Sequence, residues 1–195
     1  MIEKVPPRLV YEHHCDTVGE AQLAERQLIG DPGSILDVGC GIRPCCTRWL
    51  FPSPGKKYVG IDAFDPYVES CKAKWPQLEF RQVIVPPLPF DDASFDTVVL
   101  DDVIEHLEKP KGRELLAEAL RVCRRGVIVH TPNGFCRQDS DPWEAGGDFW
   151  QTHRSGWVPS DFEAASHVWH VKGHSKGPWM GVYCPKENAK CETSS

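Results

Sequence analysis

The chain has 195 residues, enough to bury one continuous core and too few for two full catalytic domains. With 41% hydrophobic residues, 26% charged residues and a formal net charge of -6, its overall sign gives a polyanion no long-range attraction, which makes nucleic acid an unfavoured partner and a small molecule the expected one. No apolar run approaches the roughly 20 residues that span a bilayer, and Met1 to Pro7 lacks a signal-peptide hydrophobic stretch, so the expectation is a cytoplasmic protein without membrane insertion.

In chain order, Thr17 and Glu20 have capping-box spacing ahead of a helix over Ala21 to Ile29, closed by Gly30-Asp31-Pro32-Gly33. Residues 1–32 are read as an N-terminal helical segment that carries Tyr11-Glu12-His13-His14 as a flap. The core is placed at 33–185 and a flexible tail at 186–195. Ile35 to Val38 is a strand, and Pro44 suits the first turn of a helix through Phe51. Tyr58 to Ile61 is the next strand, followed by a helix over Tyr67 to Lys74 with Asp65 as cap and Pro66 as first helical residue. Leu78 to Val85 reads as a third strand and Thr97 to Leu100 as a short, central one. A helix over Gly112 to Val122 leads to a strand at Gly126 to Val129. Ser160 and Glu163 have the spacing to cap a further short helix. Val168 to Val171 and Trp179 to Tyr183 are the last strands, close enough in sequence to pair antiparallel.

This alternation predicts an α/β fold, a mostly parallel seven-stranded Rossmann-like sheet with helices on both faces and an antiparallel C-terminal strand. The segment 133–159 is too long and too aromatic for a simple connection and is read as a substrate lid.

The nine cysteines are odd in number and contain no paired C-x-x-C units, so no metal is expected from them. Cys40, Cys71 and Cys123 are expected in or near the core, Cys45-Cys46 at a helix contact and Cys191 in the polar tail.

The chemistry concentrates where strands end. Asp37-Val38-Gly39-Cys40-Gly41 is a strand running into a glycine turn, which lets backbone approach a ligand, and Asp62 ends the neighbouring strand where a carboxylate can accept from a ribose diol. The competing readings are a tight turn that binds nothing and a helix-capping acid. Arg43 stands where many nucleotide turns have a third glycine, which disfavours a nicotinamide-dependent oxidoreductase, the competing enzyme class.

Those two segments, with Leu88-Pro89-Phe90-Asp91-Asp92-Ala93-Ser94-Phe95-Asp96, Val103-Ile104-Glu105-His106-Leu107, and Leu120-Arg121-Val122 before His130-Thr131-Pro132-Asn133, resemble a class I S-adenosylmethionine-dependent methyltransferase. More narrowly, they are similar to the broad small-molecule, sugar and ubiquinone/menaquinone-type group. The resemblance covers approximately residues 15 to 185. It implies S-adenosyl-L-methionine as cofactor, with Asp37, Gly39, Cys40 and Gly41 at its methionine part, Asp62 at the ribose, and Ala63 and Phe64 beside adenine. Ile84 occupies the position where the family often has an acid for the adenine amino group, which leaves the Val85 backbone and apolar packing. Asp101 is expected at the cofactor ammonium, and Asp102 faces the substrate or caps the following turn. Direct transfer to an acceptor needs alignment and exclusion of water rather than a covalent nucleophile.

Within the lid, Trp143 and Trp150 can wall a substrate, His153 can remove a proton from a hydroxyl or amine, and Arg154 can fix an anionic group. Packing of the lid onto the domain is the alternative for each, and for Phe149 and Trp157. Glu105 and His106 are read as packed structural residues. The expected function is methyl transfer to a small polar metabolite, with a noncatalytic protein that binds S-adenosylmethionine or S-adenosylhomocysteine as the alternative. The sequence carries no statement of oligomeric state.

Overall fold

A computed structural model describes residues 10–50, 55–172 and 177–186. Cys191, the tail from 187 onward and parts of the loops at 51–54 and 173–176 lie outside the described residues. The strands are β1 (Tyr11–Cys15), β2 (Ser34–Val38), β3 (Lys57–Asp62), β4 (Glu79–Gln82), β5 (Phe95–Asp101), β6 (Cys123–Pro132), β7 (His167–Val171) and β8 (Trp179–Pro185). They form one sheet in the order β1-β7-β8-β6-β5-β2-β3-β4. All pairings are parallel except those that β8 makes with β6 and β7.

Every residue of β2 is buried, because β3 and β5 flank it and apolar clusters cover both faces. This is the environment in which a continuous apolar run such as Ile35-Leu36 belongs. One face packs Val98, Leu100, Leu115 and Trp157, the other Ile35, Val68, Val99 and Ile128. The strand order reverses between β2 and β5, so the loops after β2, β3 and β5 open side by side at one end of the sheet.

The main helices are α1 (Val18–Ile29), α2 (Asp65–Lys74) and α3 (Lys109–Val122), with a single turn, α4 (Asp148–Gln151), in the segment 133–159. Thr17 and Glu20 make the predicted capping box on α1, and Gly30 closes it with φ +65°. Helix α2 starts at Asp65, with Phe64 rather than Asp65 as the capping residue. Among the described residues no helix is long and apolar enough to cross a membrane.

Four local expectations need correction. The sheet has eight strands rather than seven, because Tyr11–Cys15 pairs with β7 at the edge instead of lying as a flap over the ligand turn. Cross-strand stacking of Tyr11 on His167, His13 on Trp169 and His14 on His170, each with ring centroids 5.1 Å apart, replaces the missing aliphatic pattern. The helix expected from Pro44 is only a 3₁₀ turn, Cys45–Thr47, where the N–H groups of Arg48, Trp49 and Leu50 converge on the Cys45 carbonyl. The third strand is shorter than 78–85 and spans Glu79–Gln82. Finally, the helix expected after Ser160 is a 3₁₀ turn, Pro159–Asp161. Asp161 there accepts the Val158 N–H while Lys109 Nζ holds the same carboxylate oxygen at 2.6 Å.

Candidate active site

The turn after β2 is built by two buried carboxylates. Asp37, 1% exposed, accepts the Cys45 N–H at 2.7 Å and the Tyr58 hydroxyl at 2.6 Å. Burial pushes its carboxyl up to about 6, against the lowering effect of those two hydrogen bonds. Asp37 therefore ties the chain beyond the turn back to the sheet, while Gly39 and Gly41 take φ +69° and +53°. The N–H groups of Gly39 and Cys40 both donate to the Ile61 carbonyl, at 2.7 and 3.0 Å.

Asp62, 9% exposed, accepts the Gly41 N–H on one oxygen and the Phe64 N–H on the other, each at 2.9 Å. Burial raises its carboxyl and these backbone donors hold it down. One side chain thus joins the turns after β2 and β3.

Two clefts of about 290 Å³ each adjoin at this end of the sheet. The first is walled by apolar side chains, Val38, Ile61, Val83, Val85, Val103 and Leu107, with Asp62 and Ala63 at its side. Ile84 borders it and is 63% exposed, and the lid adds Trp150 and Arg154. The second cleft is lined by Cys40, Arg43, Asp101, Gln138, Trp143 and His153, among others. Gly39, Asp102, His106 and Gln151 line both. Phe64 lines neither, but it packs edge-to-face on Tyr67, which packs in turn on Trp143.

Asp101 lines the second cleft with both oxygens engaged. One meets His130 Nδ1 at 2.9 Å and the other pairs with Arg48. His130 Nε2 reaches Glu25 of α1 at 2.7 Å. Burial opposes charge on His130, but the Glu25 and Asp101 carboxylates push its imidazole up to about 10. Burial acts against ionisation of Asp101 too, yet His130 and Arg48 hold its carboxyl well below the usual carboxylate range. Asp102 has φ +54°, donates its N–H to the His130 carbonyl at 3.0 Å and accepts the Trp179 indole N–H at 3.3 Å.

In the segment 133–159, the His153 ring donates from Nδ1 to the Cys136 carbonyl at 2.5 Å and packs edge-to-face on His106 with centroids 4.7 Å apart. The Arg154 guanidinium bonds the carbonyls of His106 at 2.7 Å, Thr152 at 3.0 Å and Phe149 at 2.5 Å, and sits over the Phe149 ring. Trp157 is fully buried in the core, with its indole N–H on Ser155. Glu105 lies beneath the lid, 2% exposed, and complete burial raises its carboxyl well above the usual range.

The sequence-predicted residues therefore gather at one sheet end, with Arg154 tied into lid backbone and Asp101 held from behind. Sequence reasoning missed the Glu25–His130–Asp101–Arg48 chain. A signal existed for Glu25, since Ala21, Glu25 and Ile29 share the buried stripe of α1 and an acid there needs a buried partner. Arg48 had none, because its turn was expected to be helical.

Residues 36–130 match the family model described as a methyltransferase domain. Together with the switch-point clefts and the doubly wound sheet, this match makes the chain similar to the class I S-adenosylmethionine-dependent methyltransferases, whose cofactor is S-adenosyl-L-methionine. The chain is 33% identical over 101 residues to a probable S-adenosylmethionine-dependent methyltransferase of Mycolicibacterium smegmatis, covering 51% of this chain and 38% of the relative. It is 38% identical over 116 residues to the phthiotriol/phenolphthiotriol dimycocerosates methyltransferase of Mycobacterium tuberculosis, covering 57% of this chain and 41% of that protein. The chain thus spans about two fifths of the length of these curated relatives. The fold is shared with magnesium protoporphyrin IX methyltransferase of Synechocystis, solved with bound SAH, at TM-score 0.61 and 14% identity over 86% of this chain and 80% of that one.

Proposed function

We propose that this chain transfers the methyl group of S-adenosylmethionine to a hydroxyl or amine of a small polar metabolite, such as a sugar derivative. The observation that carries this reading is the pair of adjoining clefts, one apolar with a carboxylate at its side, the other lined by charged and amide groups, meeting at Gly39, Asp102, His106 and Gln151.

The residues present fit the cofactor. Asp62 keeps lone pairs beyond those used by Gly41 and Phe64 and would accept the ribose hydroxyls. Val83, Ile84, Val85 and Ala63 give adenine an apolar slot, with Phe64 packed behind the neighbouring loop. Gly39 and Cys40, in the turn held by Asp37, would border the methionine portion, with Gly41 shaping that turn beneath Trp143, and Asp101 would present negative charge to its ammonium. When bound, the cofactor supplies an electrophilic methyl carbon on a cationic sulfur.

The chain's own residues align the acceptor and exclude water. Trp143 would flank the acceptor in the second cleft, Trp150 would close the first cleft from the same segment, and Arg154 would hold that segment in place while bordering the first cleft. Asp102 would orient the acceptor at the shared wall, and His153 would ease loss of its proton. The charged second cleft favours a polar acceptor over a lipid-like one.

Incubation of the protein with isotopically labelled S-adenosylmethionine and a metabolite extract, followed by mass spectrometry of labelled products, tests this. A labelled hydroxyl or amine in a polar metabolite is expected. Tight S-adenosylhomocysteine binding with no labelled product would replace this proposal by a noncatalytic binding role, and affinity for NAD without affinity for either adenosyl ligand would remove it.

A further inference from the structure

We infer that Glu105, His106 and His153 form a binding site for one divalent first-row transition metal ion, at the second cleft beside the acceptor position. One carboxylate oxygen of Glu105 and one ring nitrogen from each histidine lie within 4.8 Å of one another. Ligand atoms held at about 2.0 to 2.2 Å from a common ion stand about 3 to 3.5 Å apart, so the cluster needs only a modest closure to bind one. Two imidazoles and a carboxylate make a mixed nitrogen and oxygen donor set that suits zinc, cobalt, iron or manganese, and three protein ligands leave coordination positions open.

Two further features of these side chains point the same way. Glu105 is 2% exposed, its Oε2 accepts the Thr131 hydroxyl at 3.1 Å, and its Oε1 is buried without a hydrogen-bond partner. A buried carboxylate oxygen left in that condition costs free energy unless a cation or donor meets it. Each histidine has a backbone carbonyl near its Nδ1, as ligating histidines usually do. His153 Nδ1 donates to the Cys136 carbonyl at 2.5 Å, and His106 Nδ1 lies 3.4 Å from the Thr152 carbonyl. A ring whose Nδ1 carries the proton presents its lone pair at Nε2, and a backbone carbonyl behind the ring fixes that tautomer. The lid supplies one ligand and the turn after β5 supplies two, so an ion there would also hold the lid to the domain.

All three residues line the second cleft. An acceptor hydroxyl that binds the ion is acidified, and its proton leaves to solvent water. The oxygen lone pair then forms the new bond to the methyl carbon while the carbon–sulfur bond breaks and its electron pair returns to sulfur. This deepens the proposed methyl transfer and rests on it only for the role of the ion, not for its binding.

The test is titration of the chelator-treated full chain with Co2+, followed by absorption spectroscopy and calorimetry. One equivalent is expected, with a ligand-field spectrum that lacks sulfur-to-metal charge-transfer absorption, which separates this site from the cysteines. His153→Ala and Glu105→Gln are each expected to weaken Co2+ binding on the order of 100-fold or more. S-adenosylhomocysteine binding, measured on the same samples, is expected to be retained in His153→Ala, since that residue does not line the first cleft, where the adenosyl portion would sit. This reports retained folding and tests the cofactor reading separately. Absence of stoichiometric Co2+ binding in the wild type, or binding that survives both substitutions, would overturn the site. Co2+ binding without affinity for S-adenosylhomocysteine would keep the site and remove the methyl-transfer reading.

Discussion

Trp143 lies directly over Gly41, so closely that a β-carbon on the glycine would stand 2.6 Å from the indole Cη2. The segment 133–159 and the turn after β2 are therefore in van der Waals contact, and the glycine serves both backbone conformation and clearance. Gly41→Ala is expected to add left-handed backbone strain of about 1 to 2 kcal/mol and to displace the indole as well. Adding Trp143→Ala removes the clash and leaves the strain. A double-mutant cycle read by S-adenosylhomocysteine calorimetry should show Gly41→Ala weakening affinity about 10-fold or more, with partial recovery in the double variant. Strict additivity of the two changes would refute the contact.

Asp62 supports the turn and borders the first cleft, proposed above for the cofactor, so its removal should affect both properties. Asp62→Ala leaves the Gly41 and Phe64 N–H groups without their acceptor, a cost on the order of 1 to 3 kcal/mol in stability. Its affinity for S-adenosylhomocysteine should fall by about 10- to 100-fold, consistent with loss of one or two charge-assisted hydrogen bonds at about 1.4 kcal/mol per tenfold. Asp62→Asn keeps the shape and one acceptor oxygen and should lie between the two. Wild-type affinity in Asp62→Ala would sever the carboxylate from the cofactor.

His130 couples stability to pH in a defined window. Its imidazole is held by Glu25 on α1 and Asp101 on β5, packs against the Trp49 and Trp179 rings, and is raised to about 10 from an ordinary value of 6.5. A raised histidine stabilises the folded state fully below the unfolded value and loses that contribution as pH climbs through the folded one. Thermal melts should show the wild type losing stability between about pH 6.5 and about pH 10 more steeply than His130→Gln. Identical slopes in the two proteins would argue against a charged His130.

His153 borders the second cleft and not the first. Its replacement by alanine should retain S-adenosylhomocysteine binding while lowering turnover about 10²- to 10⁴-fold, the usual range for losing a group that manages a proton. Single-turnover rates with the identified acceptor provide the measurement. Unchanged turnover would remove His153 from the chemistry.

Arg154 gathers three backbone carbonyls of the lid and its neighbouring turn through one planar fork. Lysine retains the charge but cannot reproduce that fork. Arg154→Lys should therefore loosen the segment 133–159, seen as faster limited proteolysis within it and weaker S-adenosylhomocysteine binding, since Arg154 also borders the first cleft. Proteolysis at the wild-type rate would show that the carbonyl contacts are dispensable.

Much of the scaffold was legible because its signals are local. A continuous apolar run at Thr97-Val98-Val99-Leu100 reads as a covered central strand, and the Thr17/Glu20 spacing reads as a helix start, each from a few neighbouring side chains. The glycine turn and Asp62 were legible as a pair for the same reason, since both sit where an apolar run stops. The edge strand Tyr11–Cys15 was not, because its partners His167, Trp169 and His170 lie more than a hundred residues away and supply the rings that make it a strand.

What the linear order of residues determined by itself was the alternation of strands and helices, the turn at Gly39 and Gly41, and the carboxylate at Asp62. Only the tertiary structure decided that Asp101 is clasped from behind by His130 and Arg48, that Trp157 belongs to the core rather than the cleft wall, and that Glu105, His106 and His153 meet. Periodicity and capping act over one or two turns of chain, whereas buried polar groups are satisfied by whichever partner the fold brings within about 3 Å, and that partner carries no sequence spacing of its own.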